Sequence, residues 1–243
     1  MPAPLLSLEE VSKSYWRGPS EVRVLDGASL ELYAGEFVGV WGRRGAGKTT
    51  LLRIAAGLET PDRGSVHFDG ADFASLSESG HARLRRGEIG WVRRSGPRSD
   101  LTMLDYVALP LLIEHGRRQA NRRADAALVR VGMAQCAKQR WESLSDGERA
   151  LVAIAHGIAR TPRLLLIDDP TANLGVRERE EILLLLRSLV EEMDVAVLMT
   201  VPDIPAAMGS HQLRALSGGR LITAPAGPDG DNVIEFPGLK RSA

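Results

Sequence analysis

Gly42-Arg43-Arg44-Gly45-Ala46-Gly47-Lys48-Thr49-Thr50 has the G-x-x-x-x-G-K-[ST] spacing of a phosphate-gripping loop. Glycines in such a loop let the backbone approach an anion with no Cβ in the way, so successive N–H groups can curl around phosphate oxygens. Lys48 has the reach and charge for the β- and γ-phosphates of a nucleotide, and the Thr49 hydroxyl is a hard oxygen ligand for Mg²⁺. A helix starting near Lys48 points its positive dipole end at the same anion. A second group of chemical residues closes the run Leu164-Leu165-Leu166-Ile167-Asp168-Asp169-Pro170-Thr171. A carboxylate at Asp168 could orient the magnesium, and Asp169 could polarise an attacking water as a general base. Many strands end in Asp, but an acid pair about 120 residues beyond a phosphate loop is a specific combination.

Both groups need rigid elements behind them. Phe37–Trp41 is an apolar run of buried-strand length, and Leu51, Leu52, Ile54 and Ala55 continue as a helix that Gly57 can stop. Further strands are predicted at Leu5–Leu8, Val22–Leu25, Ala28–Tyr33 and Ser65–Phe68, with breaks at Gly18-Pro19, Asp26-Gly27 and Asp69-Gly70. From about residue 78 to 150 the pattern turns helical. Thr102 with Asp105 starts one helix, with an apolar stripe of Leu104, Val107, Leu111 and Leu112. Ala120 to Val131 forms another, ending at Gly132, and Ser145 with Glu148 has capping-box spacing for a third. A strand at Ile89–Val92 lies within this stretch. Strand Arg163–Ile167, helix Arg177–Glu192 and strand Val195–Thr200 then alternate, which predicts a parallel sheet with crossover helices. The tail from Pro225 on, with Gly-Pro-Asp-Gly-Asp-Asn, is expected to be loosely ordered.

The 243 residues suit one large domain, or a domain with an inserted subdomain, and the 44% hydrophobic and 26% charged composition is that of a globular protein. Zero formal net charge argues against broad binding of nucleic acid. The basic stretches at Arg83–Arg86, Arg93-Arg94 and Arg117–Arg123 read as solvated helix faces or as contacts for an acidic partner or lipid head groups. Cys136 stands alone, which excludes an internal disulfide and a thiolate metal site and fits a reducing compartment. No run has transmembrane length, and Met-Pro-Ala-Pro-Leu-Leu does not read as a signal peptide. A cytosolic chain is expected, reaching a membrane only through a partner.

Between the two nucleotide motifs lies Leu144-Ser145-Asp146-Gly147-Glu148. With it the chain resembles the ATP-binding-cassette ATPases, whose signature L-S-G-G-[QE] sits there, over residues 5 to 224. Asp105–Leu112 and Pro170-Thr171-Ala172-Asn173-Leu174 resemble the branch of lipoprotein-releasing, macrolide-exporting and cell-division ATPases. The resemblance implies an α/β fold: a RecA-like phosphate-loop core with a parallel sheet, an N-terminal antiparallel β subdomain and an inserted helical signature subdomain at about 78–158. It implies one nucleotide-binding domain over 1–224, followed by the tail 225–243. It implies ATP and Mg²⁺ as cofactors, with residues 42–50, Arg94 and Asp168 at the nucleotide and Thr49 with Asp168 at the metal. Tyr15 matches the aromatic that stacks on adenine; a core strand tyrosine is the other reading. Two such domains pair head to tail, each lending its signature (here Ser145, Asp146, Gly147 and Glu148) to the partner's ATP. Integral-membrane permease subunits are the implied partners, at the inner face of the cell membrane.

Several positions depart from the family pattern. Arg94, or Arg93 after a slip in register, stands where a metal-touching Gln belongs; a guanidinium cannot ligate a cation but can contact phosphate, or turn to solvent. Asp146 replaces the first signature glycine and brings a like charge towards a partner's γ-phosphate. Asp169 replaces the usual glutamate and is one methylene shorter. Pro202 occupies the switch-histidine position with neither a side-chain donor nor an N–H, and Gly175 replaces an aspartate used across the dimer. The expectation is a chain that binds ATP, hydrolyses it weakly or not at all, and pairs with a competent second ATPase to drive a permease. The alternative is a regulatory ABC protein that signals through a membrane partner without moving a solute.

Overall fold

A computed structural model describes residues 3–93, 95–97, 100–202 and 210–223. Arg94 and the tail 225–243 therefore lie outside the described residues. Two sheets carry the fold. Strands β1 (Leu6–Arg17), β2 (Ser20–Leu32), β4 (Arg63–Phe68) and β5 (Ala71–Asp72) form an antiparallel sheet in the order β2-β1-β4-β5. Strands β3 (Phe37–Trp41), β6 (Ile89–Val92), β7 (Leu164–Asp168), β8 (Ala196–Val201), β9 (Gln212–Ser217) and β10 (Arg220–Thr223) form the second, in the order β10-β9-β3-β8-β7-β6. Every neighbouring pair in that sheet is parallel except the β9–β10 hairpin.

The helices are α1 (Lys48–Ala55), α2 (Glu78–Gly87), α3 (Met103–Ala108), α4 (Arg117–Arg130), α5 (Asp146–Ile158) and α6 (Val176–Met193). Helices α3, α4 and α5 fall between β6 and β7 in the chain, and α2 precedes β6. The apolar runs of β7 and β8 are continuous because helices or sheet cover both faces. Leu164 and Leu166 enter a core with α1 and the antiparallel sheet, whereas Leu165 and Ile167 enter the core built by α3 to α6. Side chains alternate in the same way along β8, with Ala196 and Leu198 on one side and Val197, Met199 and Val201 on the other.

Two expectations need correction. Asp26-Gly27 does not separate two strands. β2 runs through it, and a shift of register lets Leu25 pair with Lys13 and Ala28 with Val11. The Ser12 hydroxyl accepts the Gly27 N–H, and the Gly219 carbonyl accepts that of Asp26, so tertiary bonds hold what reads locally as a turn. The apolar stripe after Thr102 is also not all core. Val107 and Leu111 are buried, but Leu112 is 44% exposed because the helix tightens to a 3₁₀ turn over Leu109–Ile113. Helix α4 begins at Arg117, before Ala120, and buries Ala120, Ala124, Ala127 and Leu128 while its arginines face solvent. Strands β9 and β10 were not anticipated, whereas helix α2 opens the stretch from about residue 78 that reads as helical.

Candidate functional site

The carboxyl ends of β3, β7 and β8 meet at one edge of the parallel sheet, where α/β sheets present their ligand sites. β3 runs directly into the loop Gly42–Gly47, and Ala46 closes a turn onto the Arg43 carbonyl at 3.0 Å. Gly47 caps α1 in a left-handed conformation with φ 103°. A Cβ there would lie 2.7 Å from Val24 Cγ1 and 2.9 Å from the Val24 carbonyl, so β2 requires glycine at this point. The Lys48 ammonium donates to the Gly42 carbonyl at 2.5 Å and to that of Arg43 at 3.3 Å, which folds it back over the loop. Burial lowers its pKa, and the nearby Asp169 and Asp168 carboxylates oppose that shift.

Asp168 ends β7 beside the start of α1. Its Oδ2 accepts the Thr49 hydroxyl at 2.9 Å, and its Oδ1 accepts the Thr200 hydroxyl at 2.9 Å. Asp169 follows with φ 48°, a left-handed conformation that Asp tolerates better than most residues. Thr49, Arg53, Trp91, Arg93, Asp168 and Asp169 line a cleft of about 600 Å³. The Arg93 guanidinium lies 5.8 Å from the Trp91 ring centre and brings positive charge to the cleft beside the acidic pair.

Beside α1 the half-buried Tyr15 donates its hydroxyl to Glu59 at 2.5 Å and lies 3.3 Å from the hydroxyl of Thr50, in the first turn of that helix. Burial and the Glu59 hydrogen bond raise its pKa, so the ring is neutral. Arg53 and Lys13 flank Glu59 at 3.1 and 3.9 Å. The exposed Arg43 and Arg44 stand at the outside of the loop.

The signature residues open α5. Ser145 accepts the Glu148 N–H at 3.2 Å, and Glu148 accepts the Ser145 N–H at 2.8 Å, so Glu148 serves as the return half of a capping box. The Cys136 thiol also leans on Glu148 at 3.9 Å, and burial raises its pKa. Asp146 is exposed and pairs with Arg149 at 3.2 Å. Gly147 is buried against Glu178, whose carboxylate accepts the Gly175 N–H at 2.9 Å. Gly175 is exposed ahead of α6, and Pro202 is exposed just past β8. Sequence reasoning missed Thr200, Glu59 and Arg149. Thr200 had a signal, as the one polar residue in the apolar run Ala196–Val201.

This donor set suits a magnesium nucleotide. A hydroxyl and a carboxylate oxygen 2.9 Å apart are hard ligands, and one carboxylate is the usual protein share where phosphates supply the rest. Among the described residues no cluster of three His, Cys, Asp or Glu offers an all-protein metal site.

The ABC transporter family model matches residues 25–172. The lipoprotein-releasing system ATP-binding protein LolD of Pseudomonas syringae pv. tomato is 38% identical over 224 residues, covering 90% of this chain and 98% of the relative. The chain belongs to the ABC transporter family of ATP-binding subunits. An ABC cassette binds ATP with Mg²⁺, and the phosphate loop and acidic strand end of this subunit have the matching chemistry. Solved ABC structures agree with the fold. The ATP-binding cassette MJ0796, solved as a post-hydrolysis dimer with ADP and phosphate, is 30% identical with a TM-score of 0.81, covering 89% of this chain and 96% of that one. The protein cbiO1 of Clostridium perfringens, described as part of the ABC transporter complex cbiONQ, is 25% identical with a TM-score of 0.80, covering 91% of this chain and 88% of that one. No described helix of this ABC subunit is long and apolar enough to cross a membrane.

Proposed function

We propose that this ABC subunit is the ATP-binding, weakly hydrolysing member of an asymmetric ATPase pair that drives an integral-membrane permease from the inner face of the membrane. One contrast carries the reading. The Thr49 hydroxyl and the Asp168 carboxylate lie 2.9 Å apart as a ready pair of metal ligands, whereas β8 is followed by Pro202, which has no hydrogen-bond donor to offer a γ-phosphate. Binding groups are kept and water-handling groups are altered.

Bound Mg-ATP supplies the phosphoanhydride that a competent site would cleave. In this chain the amides of residues 42–49 and the Lys48 ammonium grip the phosphates, Thr49 and Asp168 hold the metal, and Tyr15 offers its ring to the base. By its place in the sequence Arg94 supports the same reading, because a guanidinium cannot ligate a cation where the family has glutamine. Asp169 presents a short carboxylate from a left-handed backbone, so its reach to a water is limited. Displacements of about 1 Å can cost on the order of 10²-fold in rate. Ser145 and Asp146 are exposed at the start of α5, beside the buried Gly147 and the capping Glu148, where this segment can serve a partner's nucleotide, while Gly175 brings no acid across the pair. A second copy of this chain would bring the same impaired groups, which supports a heterologous partner retaining the glutamate and histidine. Similarity to LolD supports a permease of the lipoprotein-releasing kind.

The test is purification of the native membrane complex together with ATP binding and phosphate release by the isolated subunit. Expected are nucleotide binding that K48A abolishes, turnover far below that of the complex, and a second ATPase in the complex. Ordinary transporter turnover by the isolated chain, or a complex with two copies and no second ATPase, would sink the proposal. The same altered positions favour a second reading, a regulatory subunit, which predicts recovery with a single membrane protein that moves no solute.

A further inference from the structure

We propose that Thr200 is a positioning residue for the metal site, turning one oxygen of Asp168 towards Thr49 and anchoring the other to the neighbouring strand. The proposal rests on the reading that Thr49 and Asp168 hold Mg²⁺ on bound nucleotide. Strands β7 and β8 run parallel, and their register sets Asp168 opposite Thr200. Thr200 is fully buried, and the five other residues of β8 are apolar. Its hydroxyl reaches two partners. Oγ1 lies 2.9 Å from Asp168 Oδ1 and 3.0 Å from the Asp169 nitrogen. A hydroxyl has one proton and two lone pairs. The Asp169 N–H can only donate, so it takes a lone pair, and the hydroxyl proton is committed to Asp168.

This division gives the two Asp168 oxygens different work. Oδ1 is tied to the buried scaffold, and Oδ2 faces the Thr49 hydroxyl at 2.9 Å. A carboxylate with one oxygen fixed keeps the other aimed where a cation would sit, as hydrogen-bonded partners behind metal ligands generally do. The same hydroxyl also holds the Asp169 amide, and Asp169 is the residue whose φ of 48° bends the chain away from β7. Both acids of the site are therefore referenced to one oxygen on the adjacent strand. Bulk packing alone does not require this geometry, because valine would fill the same space.

Magnesium titration of ATP binding separates positioning from packing. Fluorescent ATP is bound by the full-length subunit without metal and at increasing Mg²⁺, and thermal unfolding is recorded beside it. T200V should raise the Mg²⁺ concentration for half-maximal tightening about 10-fold or more, T200S should stay near wild type, and metal-free affinity should be unchanged in both. Should T200V fail to fold, T200A provides the same reading with a smaller side chain. Unchanged magnesium dependence in a folded variant lacking the hydroxyl overturns the role of Thr200 alone. A loss of metal-free binding as large as the loss with magnesium overturns it as well, because general disruption would then explain the effect. A wild-type subunit whose ATP affinity ignores Mg²⁺ overturns the metal site, and Thr200's role with it.

Discussion

Arg149 holds the Asp146 carboxylate at 3.2 Å, one helical turn along α5. The same guanidinium donates to the carbonyls of Trp141 and Glu142 at 3.1 and 3.3 Å, so it is fastened from behind while it neutralises the signature acid. In the proposed head-to-tail pair an acid at this position would oppose the partner's phosphate, and Arg149 would limit that opposition. The pair is solvent-exposed, so the effect is on the order of 1 kcal/mol, about fivefold in affinity. D146G should strengthen ATP-driven association with the partner ATPase by that factor, and R149A should weaken it. Light scattering at low and high salt checks both, and the difference between D146G and wild type should shrink as salt rises. Equal association of all three proteins would remove Asp146 from the energetics of pairing.

Asp169 lies in the left-handed region at φ 48°, where β7 turns towards Pro170. Restoring the family's acid with D169E lengthens the side chain but puts a less tolerant residue in that conformation, at a cost of about 1 kcal/mol in stability. Pairing it with P202H supplies a donor at the end of β8. The double variant should hydrolyse ATP at least on the order of 10²-fold faster than the parent, with a lower melting temperature. Phosphate release by the purified subunit is the measurement. Parent-level turnover would place the defect elsewhere in the site.

Gly96, just beyond β6, lies against the indole of Trp141 so closely that a Cβ on Gly96 would overlap the ring. Trp141 in turn passes its carbonyl to Arg149, so the contact links the segment after β6 to the signature helix. G96A should destabilise the fold by about 1–3 kcal/mol through overpacking, and adding W141L should recover most of that loss. Urea unfolding of the two single variants and the double variant gives the coupling. Additive losses would mean the two sites do not meet.

Local chemistry made much of this protein legible from sequence. The phosphate loop, the Ser145–Glu148 capping box and the Thr102 cap each depend on residues within a few positions of one another, and each forms as read. What the sequence hid lies between strands. Continuity of β2 through Asp26-Gly27 depends on Ser12 and Gly219, and the task of Thr200 depends on the β7–β8 register. The β9–β10 hairpin was within reach, since Gly218-Gly219 divides two runs of strand-forming residues. Asp146 and Arg149 have a spacing that allows a pair, but only the fold fixes the guanidinium from behind with the Trp141 carbonyl.

His156, in the last turn of α5, stacks on Tyr106 with ring centres 4.5 Å apart and planes 13° apart. Burial, then the charges of Arg93 and Arg160, lower its pKa from 6.5 to about 4. In the unfolded chain the imidazole takes up a proton near pH 6.5, whereas the folded protein resists until about pH 4. Between those values the unfolded state binds more protons, so stability falls as pH drops through this window and levels off below it. From pH 7.5 to 5 this single group should cost about 2 kcal/mol. H156F keeps an aromatic ring against Tyr106 and removes the titration. Its loss of unfolding free energy over that interval should be smaller than that of the parent by about the same 2 kcal/mol. Parallel curves for parent and variant would mean that His156 protonates equally well in both states, and that the burial between α3 and α5 is looser than the stacked geometry requires.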